Sequence, residues 1–133
     1  MLHTQSLKQN HLFRRLYQRG KSAAGRYVVV YCRRNGLPYN RLGLTTGTKI
    51  GKAVVRNKVR RRIREAYRLS EERYYRGYDI VVVARGRAAT ATYKEIADNL
   101  FGLSQKLGLI RKEEEREKNH EAPAPVADPV LPE

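Results

Sequence analysis

Arginine is the side chain with the most chemistry to offer in this chain. Residues 52–68, KAVVRNKVRRRIREAYR, hold eight Lys and Arg against a single Glu. Guanidinium groups make bidentate, charge-assisted bonds to phosphates and base edges, and they stay protonated, so they bind anions without acting as bases. Groups suited to catalysis by the protein itself are sparse. His3, His11 and His120 lie far apart, and no His, Asp and Glu cluster has metal-ligand spacing. The six acidic residues within residues 1–110 include no obvious pair for hydrolysis. GTKIGKA, starting at Gly47, looks like a nucleotide phosphate loop. It has three residues between its glycines where that loop needs four, and Ala53 stands where a Ser or Thr would hold magnesium. What survives there is a Gly-flanked turn with Lys49 and Lys52 beside a helix start, which fits a plain turn and a phosphate contact equally well. No catalytic residue and no metal ligand is assigned.

The arginines need a helix to order them. At 100° per residue, Val55, Val59, Ile63, Ala66 and Tyr67 fall in one apolar sector. Asn57, Arg61, Arg64 and Arg68 stand opposite it. Arg56, Arg60 and Arg64 form one i, i+4, i+8 ridge, and Asn57, Arg61 and Arg68 form a second beside it. Like charges at i, i+4 oppose a helix by about 0.2–0.5 kcal/mol per pair, and here only Glu65 offsets them. A merely solvated helix would interleave Glu with Lys. The formal net charge is +15, and it understates the basic part: residues 1–110 carry +18, while residues 111–133 carry −3. A domain that repels itself this strongly points to a polyanion partner. Nucleic acid fits best. An anionic membrane fits less well, because no helix pairs a basic face with exposed bulky apolar residues.

The remaining elements frame that helix. Residues 7–20 read as a short helix with Asn10 as its N-cap and Leu12, Phe13, Leu16 and Tyr17 as its apolar stripe. Residues 26–34 read as a strand, with Tyr27, Val29 and Tyr31 on one face. Residues 41–46 read as a second strand antiparallel to it, and residues 47–51 as a loop with room for a short extra strand. The long helix covers residues 53–73. Residues 78–85, YDIVVVAR, read as a strand buried on both faces. Thr92 and Glu95 make a capping box for a last helix striped by Tyr93, Ile96, Leu100, Leu103 and Leu107. By spacing, Phe13, Tyr17, Tyr27 and Tyr31 read as core, although in so basic a domain such rings could also stack on unpaired bases. The lone Cys32 reads as a small buried residue in a reducing, cytoplasmic setting. No run is apolar and long enough to span a membrane. The order α-β-β-(β)-α-β-α gives an α+β two-layer sandwich over residues 1–110. Residues 111–133, charged and then Pro/Ala-rich, form a tail that is expected to be disordered in its second half.

VVRNKVRRRIREAYR resembles the signature of the bacterial ribonuclease P protein component, roughly R-N-x-x-K/R-R-x-x-R-E, at Arg56, Asn57, Arg60, Arg61, Arg64 and Glu65. LKQNHLFRRLYQRGK, NRLGLTTGTKIGKAVVRN and GYDIVVVARGRAA resemble that family's first helix, second strand with its loop, and last strand. The likeness covers about residues 7–109. It implies a ribosomal-protein-like fold with a small mixed sheet and a left-handed β-α-β crossover, against the usual right-handed rule. It also implies a role: a protein subunit that binds a catalytic RNA and the single-stranded 5′ leader of precursor tRNA. In that family the hydrolysis is carried out by the RNA, with magnesium held mainly there. By position, Phe13, Tyr17 and Tyr31 would line the leader cleft, with Lys49, Lys52, Arg56, Arg60 and Arg64 along it. Asn57, Lys58, Arg61, Arg62 and Arg68 would face the catalytic RNA. One departure is that Thr48 precedes a single Lys49 where the family commonly has Ser and two lysines. Two other classes share the charge, a structural RNA binder of ribosomal type and an architectural DNA binder. The first would bury the cleft aromatics, and the second would be expected to pair recognition helices in a dimer.

Overall fold

The computed structural model describes residues 1–112. In chain order the elements are β1 (Thr4–Ser6), α1 (Asn10–Arg19), β2 (Lys21–Ala24), β3 (Val28–Arg34), β4 (Asn40–Thr45), α2 (Ala53–Ser70), β5 (Tyr78–Ala84) and α3 (Tyr93–Lys106). The tail from residue 113 lies outside the described residues.

One five-stranded mixed sheet, ordered β1-β4-β5-β3-β2, organises the chain. β5 lies at its centre, parallel to β4 and antiparallel to β3. The apolar run of β5 is explained by this place, since both of its faces are covered. Ile80 and Val82 join the core beneath α2 and α3, while Val81 packs with Leu7 and Leu16 on the α1 side. The sheet with α2 and α3 makes the expected two-layer body, and α1 lies across the opposite face. β4, α2 and β5 form the parallel β-α-β unit that the resemblance implies. β3 and β4 do run antiparallel, but they are not neighbours, because β5 inserts between them. Asn35 shapes the connection over β5: its side chain accepts from the Leu37 amide and donates to Asp79 Oδ1 and the Tyr39 carbonyl.

Of the stripe its spacing predicts, α2 buries Val59, Ile63, Ala66 and Tyr67, and Val55 is half-buried at its start. The capping box of α3 is present in both directions, at 2.9 and 3.1 Å, and Ile96, Leu100 and Leu103 are buried. Other boundaries differ. α1 starts at Asn10, so Asn10 is its first residue and Gln9 its N-cap, without a side-chain bond. Leu7 is not helical; its amide bonds the Leu42 carbonyl and its side chain is buried. α1 ends where Gly20 must pass between Leu16 and Cys32. A Cβ there would lie 2.7 and 2.8 Å from their carbonyl oxygens, so no larger residue fits. The segment at Thr48–Ile50 is a single 3-10 turn rather than an extra strand, and Glu71–Arg73 forms another after α2.

A polar network ties β1 to the end of α2. Asn40, fully buried, donates to Tyr67 Oη and the Tyr75 carbonyl and accepts from the Tyr78 amide. Tyr67 Oη lies 2.8 Å from Thr4 Oγ1, which donates to Glu71 at 2.6 Å. The same carboxylate accepts from the amides of Leu2 and His3 at 2.9 and 2.8 Å. Burial pushes the Tyr67 hydroxyl up to about 12. Burial alone would raise the pKa of Glu71, but the bonds from Thr4, Leu2 and His3 outweigh it and hold the carboxyl below its ordinary value. A carboxylate with a lowered folded-state pKa stabilises the fold at neutral pH, and that contribution is lost as pH falls through the lowered value. Glu71→Gln should therefore cost about 2 kcal/mol at pH 7, because an amide cannot accept all three bonds. It should also flatten the acid-induced loss of stability. Urea unfolding against pH reads both; parental stability at pH 7 would show that the carboxylate does not hold β1.

Candidate nucleic-acid interface

The geometry of the interface begins where β1 stops. β1 pairs only with Asn40, Arg41 and Leu42, the first half of β4. Leu42, Gly43 and Leu44, where that pairing ends, then border a groove of about 500 Å³. Ser6, Leu7 and Lys8 form one side, and Arg60, Arg61, Arg64 and Arg68 of α2 form the other. Both ridges of the helical wheel thus contribute to a single groove. Arg60 is fixed across the strand end, with Nη1 donating to the Leu44 carbonyl at 3.3 Å and Nη2 to Thr46 Oγ1 at 3.1 Å. Arg68 is held against Glu65 at 2.6 and 2.9 Å, and this bond keeps the Glu65 carboxyl below its ordinary range.

On the other face of the same strand end lie the aromatics. Phe13 sits on Gly43, where a Cβ would come within 2.5 Å of its ring. Tyr17 meets Phe13 at 6.4 Å and Tyr31 at 4.9 Å, both edge to face. Tyr17 Oη lies 3.5 Å from Thr45 Oγ1. Phe13 and Tyr31 are half-buried against Leu7, Leu16 and Val81, whereas Tyr17 is 42 % exposed. The expectation that all four aromatics are core therefore divides: Phe13 and Tyr31 are half-buried and Tyr17 is exposed. Tyr27 separates from the group. β3 starts one residue after it, and its ring packs on the α2/α3 side beneath Arg26.

The other anticipated residues spread along α2 and its approach. Lys49 and Lys52 are exposed at the N-terminal end of the helix, and Arg56 is tied to the Gly51 carbonyl at 2.8 Å. Asn57 is exposed and Lys58 half-buried. Arg62, expected to face the catalytic RNA, is half-buried and donates to the Ala91 carbonyl at 2.5 Å, ahead of α3. A signal for this was present: at 100° per residue Arg62 falls about 20° from Val55, inside the apolar sector. Gly43, Ser6 and Lys8 were missed. A glycine inside an apolar strand pattern marks a close approach, which is the role of Gly43 beneath Phe13.

Five of the six acidic side chains within residues 1–110 are committed to other bonds. Arg41 grips Asp79 at 2.7 and 2.9 Å, Glu71 holds β1, Glu65 meets Arg68, Glu95 caps α3, and Lys94 holds Asp98 at 2.7 Å. Among the described residues no three His, Cys, Asp or Glu are grouped to hold a metal ion. Cys32 is buried, and burial pushes its thiol up to about 11, so it is inert. No helix of the described residues is long and apolar enough to cross a membrane.

A basic α+β domain with an arginine groove on an open strand edge, and aromatics on the reverse of that edge, is a small RNA-binding protein by class. Comparison with known proteins narrows the class. Residues 1–108 match the family model described as Ribonuclease P, and the chain belongs to that family. It is 41% identical over 104 residues to the ribonuclease P protein component of Alkaliphilus oremlandii, covering 78% of this chain and 91% of the relative. The Staphylococcus aureus RNase P protein superposes with a TM-score of 0.73 at 34% identity, covering 80% of this chain and 97% of that one. A Staphylococcus aureus RNase P protein mutant described as having defective mRNA degradation activity gives 0.74 at 33% identity, covering 82% and 91%.

The packing of Phe13 on Gly43 yields a direct test. Gly43→Ala should cost about 1–3 kcal/mol by overpacking the ring. In the Phe13→Ala background most of that penalty should vanish, a coupling that a double-mutant cycle in urea measures. Equal penalties in both backgrounds would mean that the ring does not rest on the glycine.

Proposed function

We propose that this chain is the protein subunit of a ribonuclease P ribonucleoprotein that removes the 5′ leader from precursor tRNA in the cytoplasm. On this reading it binds the catalytic RNA and the single-stranded leader, and leaves hydrolysis and magnesium to the RNA. The observation that carries it is the meeting of four arginines and three aromatic rings on the two faces of one strand end. Arginines grip a phosphate backbone, and an exposed ring on the reverse of the strand end can stack on an unpaired base. Phe13, Tyr17 and Tyr31 with Lys49, Lys52, Arg56, Arg60 and Arg64 are assigned to the leader. Asn57, Lys58, Arg61 and Arg68 are assigned to the catalytic RNA. Arg62 is assigned a packing role through Ala91. A leader-binding subunit needs Phe13, Tyr17 and Tyr31 exposed and a purely structural RNA binder would bury them; the exposure of Tyr17 supports this reading, while Phe13 and Tyr31 are half-buried.

The protein added to a bacterial ribonuclease P RNA at low magnesium should restore leader cleavage, and the protein alone should not cut precursor tRNA. The protein-alone control has particular value because a similar Staphylococcus aureus RNase P protein mutant is described as having defective mRNA degradation activity. Cleavage of precursor tRNA by the isolated protein, or no stimulation of the RNA, overturns the reading. Arg61→Ala should weaken RNA binding and reduce the slope of log affinity against log salt by about 0.7–0.9, the value for one phosphate that is no longer neutralised. An unchanged slope would mean that Arg61 does not touch the RNA.

A further inference from the structure

The arginine groove has a second candidate occupant in the chain itself. Residues 113–133 carry seven acidic and two basic side chains, a net −5, against +20 on residues 1–112. The family match ends at residue 108, so this acidic segment lies outside the matched region. Its attachment point is fixed. The Arg111 amide bonds the Arg73 carbonyl at 2.7 Å, the Arg111 guanidinium reaches the Glu72 carbonyl at 3.1 Å, and Ile110 bridges Tyr74. The described chain therefore ends just past the C-terminal end of α2, the end nearest Arg68.

Length and charge both suit the groove. From Ser70 back to Arg56, α2 spans about 21 Å. Residues 113–121, EEEREKNHE, hold five of the seven acids and reach about 30 Å when extended. They are long enough to follow the whole cationic ridge. α2 itself carries seven Lys and Arg with one Glu, so most of its charge has no carboxylate on the helix to meet it. A short tether holds a weak ligand at about millimolar local concentration, enough to occupy a site whose intrinsic affinity for it is poor.

We propose that the acidic segment at residues 113–121 docks in cis on the arginine groove, at Arg60, Arg61, Arg64 and Arg68, as an intramolecular competitor of RNA. This rests on the groove being the RNA-binding surface. A short, non-specific RNA must displace the segment before it can bind. A large RNA partner with many phosphate contacts displaces it at little cost, so the segment sharpens discrimination between the two.

The test uses the full chain with Glu113, Glu114, Glu115, Glu117 and Glu121 all changed to Gln, which leaves every described residue intact. A short labelled oligouridine should bind this variant about three- to tenfold more tightly than the parent at low salt, and the difference should close as salt rises. A synthetic peptide of residues 113–133 added to the variant should compete with the oligouridine. The arginine side-chain NMR signals of Arg60, Arg61, Arg64 and Arg68 should differ between parent and variant without RNA. Equal oligouridine affinities, or unchanged arginine signals, overturn the proposal. If the signals change but Arg61→Ala and Arg64→Ala leave oligouridine binding intact, the docking stands and the assignment of the groove to RNA falls.

Discussion

Glu71 holds the N-terminal strand through two backbone amides and one hydroxyl, and the interface depends on where that strand stops. β1 covers half of β4 and turns away into α1. A longer β1 would cover residues 43–45 and close the groove. A looser one would remove the wall formed by Ser6, Leu7 and Lys8. The same turn seats α1 so that Phe13 lands on Gly43 and Tyr17 on Thr45. Buried Asn40 secures the arrangement from within, since both ends of its amide are satisfied and Tyr67 links it to Thr4.

α2 has to be stable while carrying charges that repel one another. Burial of Val59, Ile63 and Tyr67 supplies about 1.5–3 kcal/mol per side chain, against about 0.2–0.5 kcal/mol for each like-charged pair. Packing therefore wins, and the helix tolerates a face it would not form alone. The way the cations are steadied matters as much. Arg56, Arg60 and Arg62 bond to neutral carbonyls of Gly51, Leu44 and Ala91 rather than to carboxylates. Such bonds fix the position of a guanidinium and leave its charge in place. On the sheet, by contrast, Arg41 is spent on Asp79 in a bidentate pair and contributes structure instead of field.

What could be read from the residues was whatever has a period. The apolar sector of α2, the capping box of α3 and the doubly buried β5 each repeat a local rule several times. β1 and β2 escaped because TQS and KSAA are short, polar or small, and lie at or near the sheet's margins, where little is buried. The insertion of β5 between β3 and β4 escaped because pairing across long sequence separation leaves no local mark. In the groove, cation type and ridge spacing were legible, but which arginine turns inward was only partly so. Arg56 and Arg60 stand at the margin of the apolar sector and Arg62 within it, and their carbonyl partners, Gly51, Leu44 and Ala91, lie in β4 and in connecting segments that the helix pattern does not describe.

The open edge of β4 would ordinarily be a hazard, because unpaired strand backbone is a template for pairing with another chain. Here the Leu44 carbonyl is taken by Arg60, and Arg61, Arg64 and Arg68 stand over the adjoining groove. An incoming peptide strand would meet a wall of positive charge and a backbone acceptor already in use. A phosphate backbone meets the same wall as an attraction, and it needs no strand register. One electrostatic arrangement of the arginines thus opposes register-bound pairing by a neutral or basic strand and attracts an acidic chain.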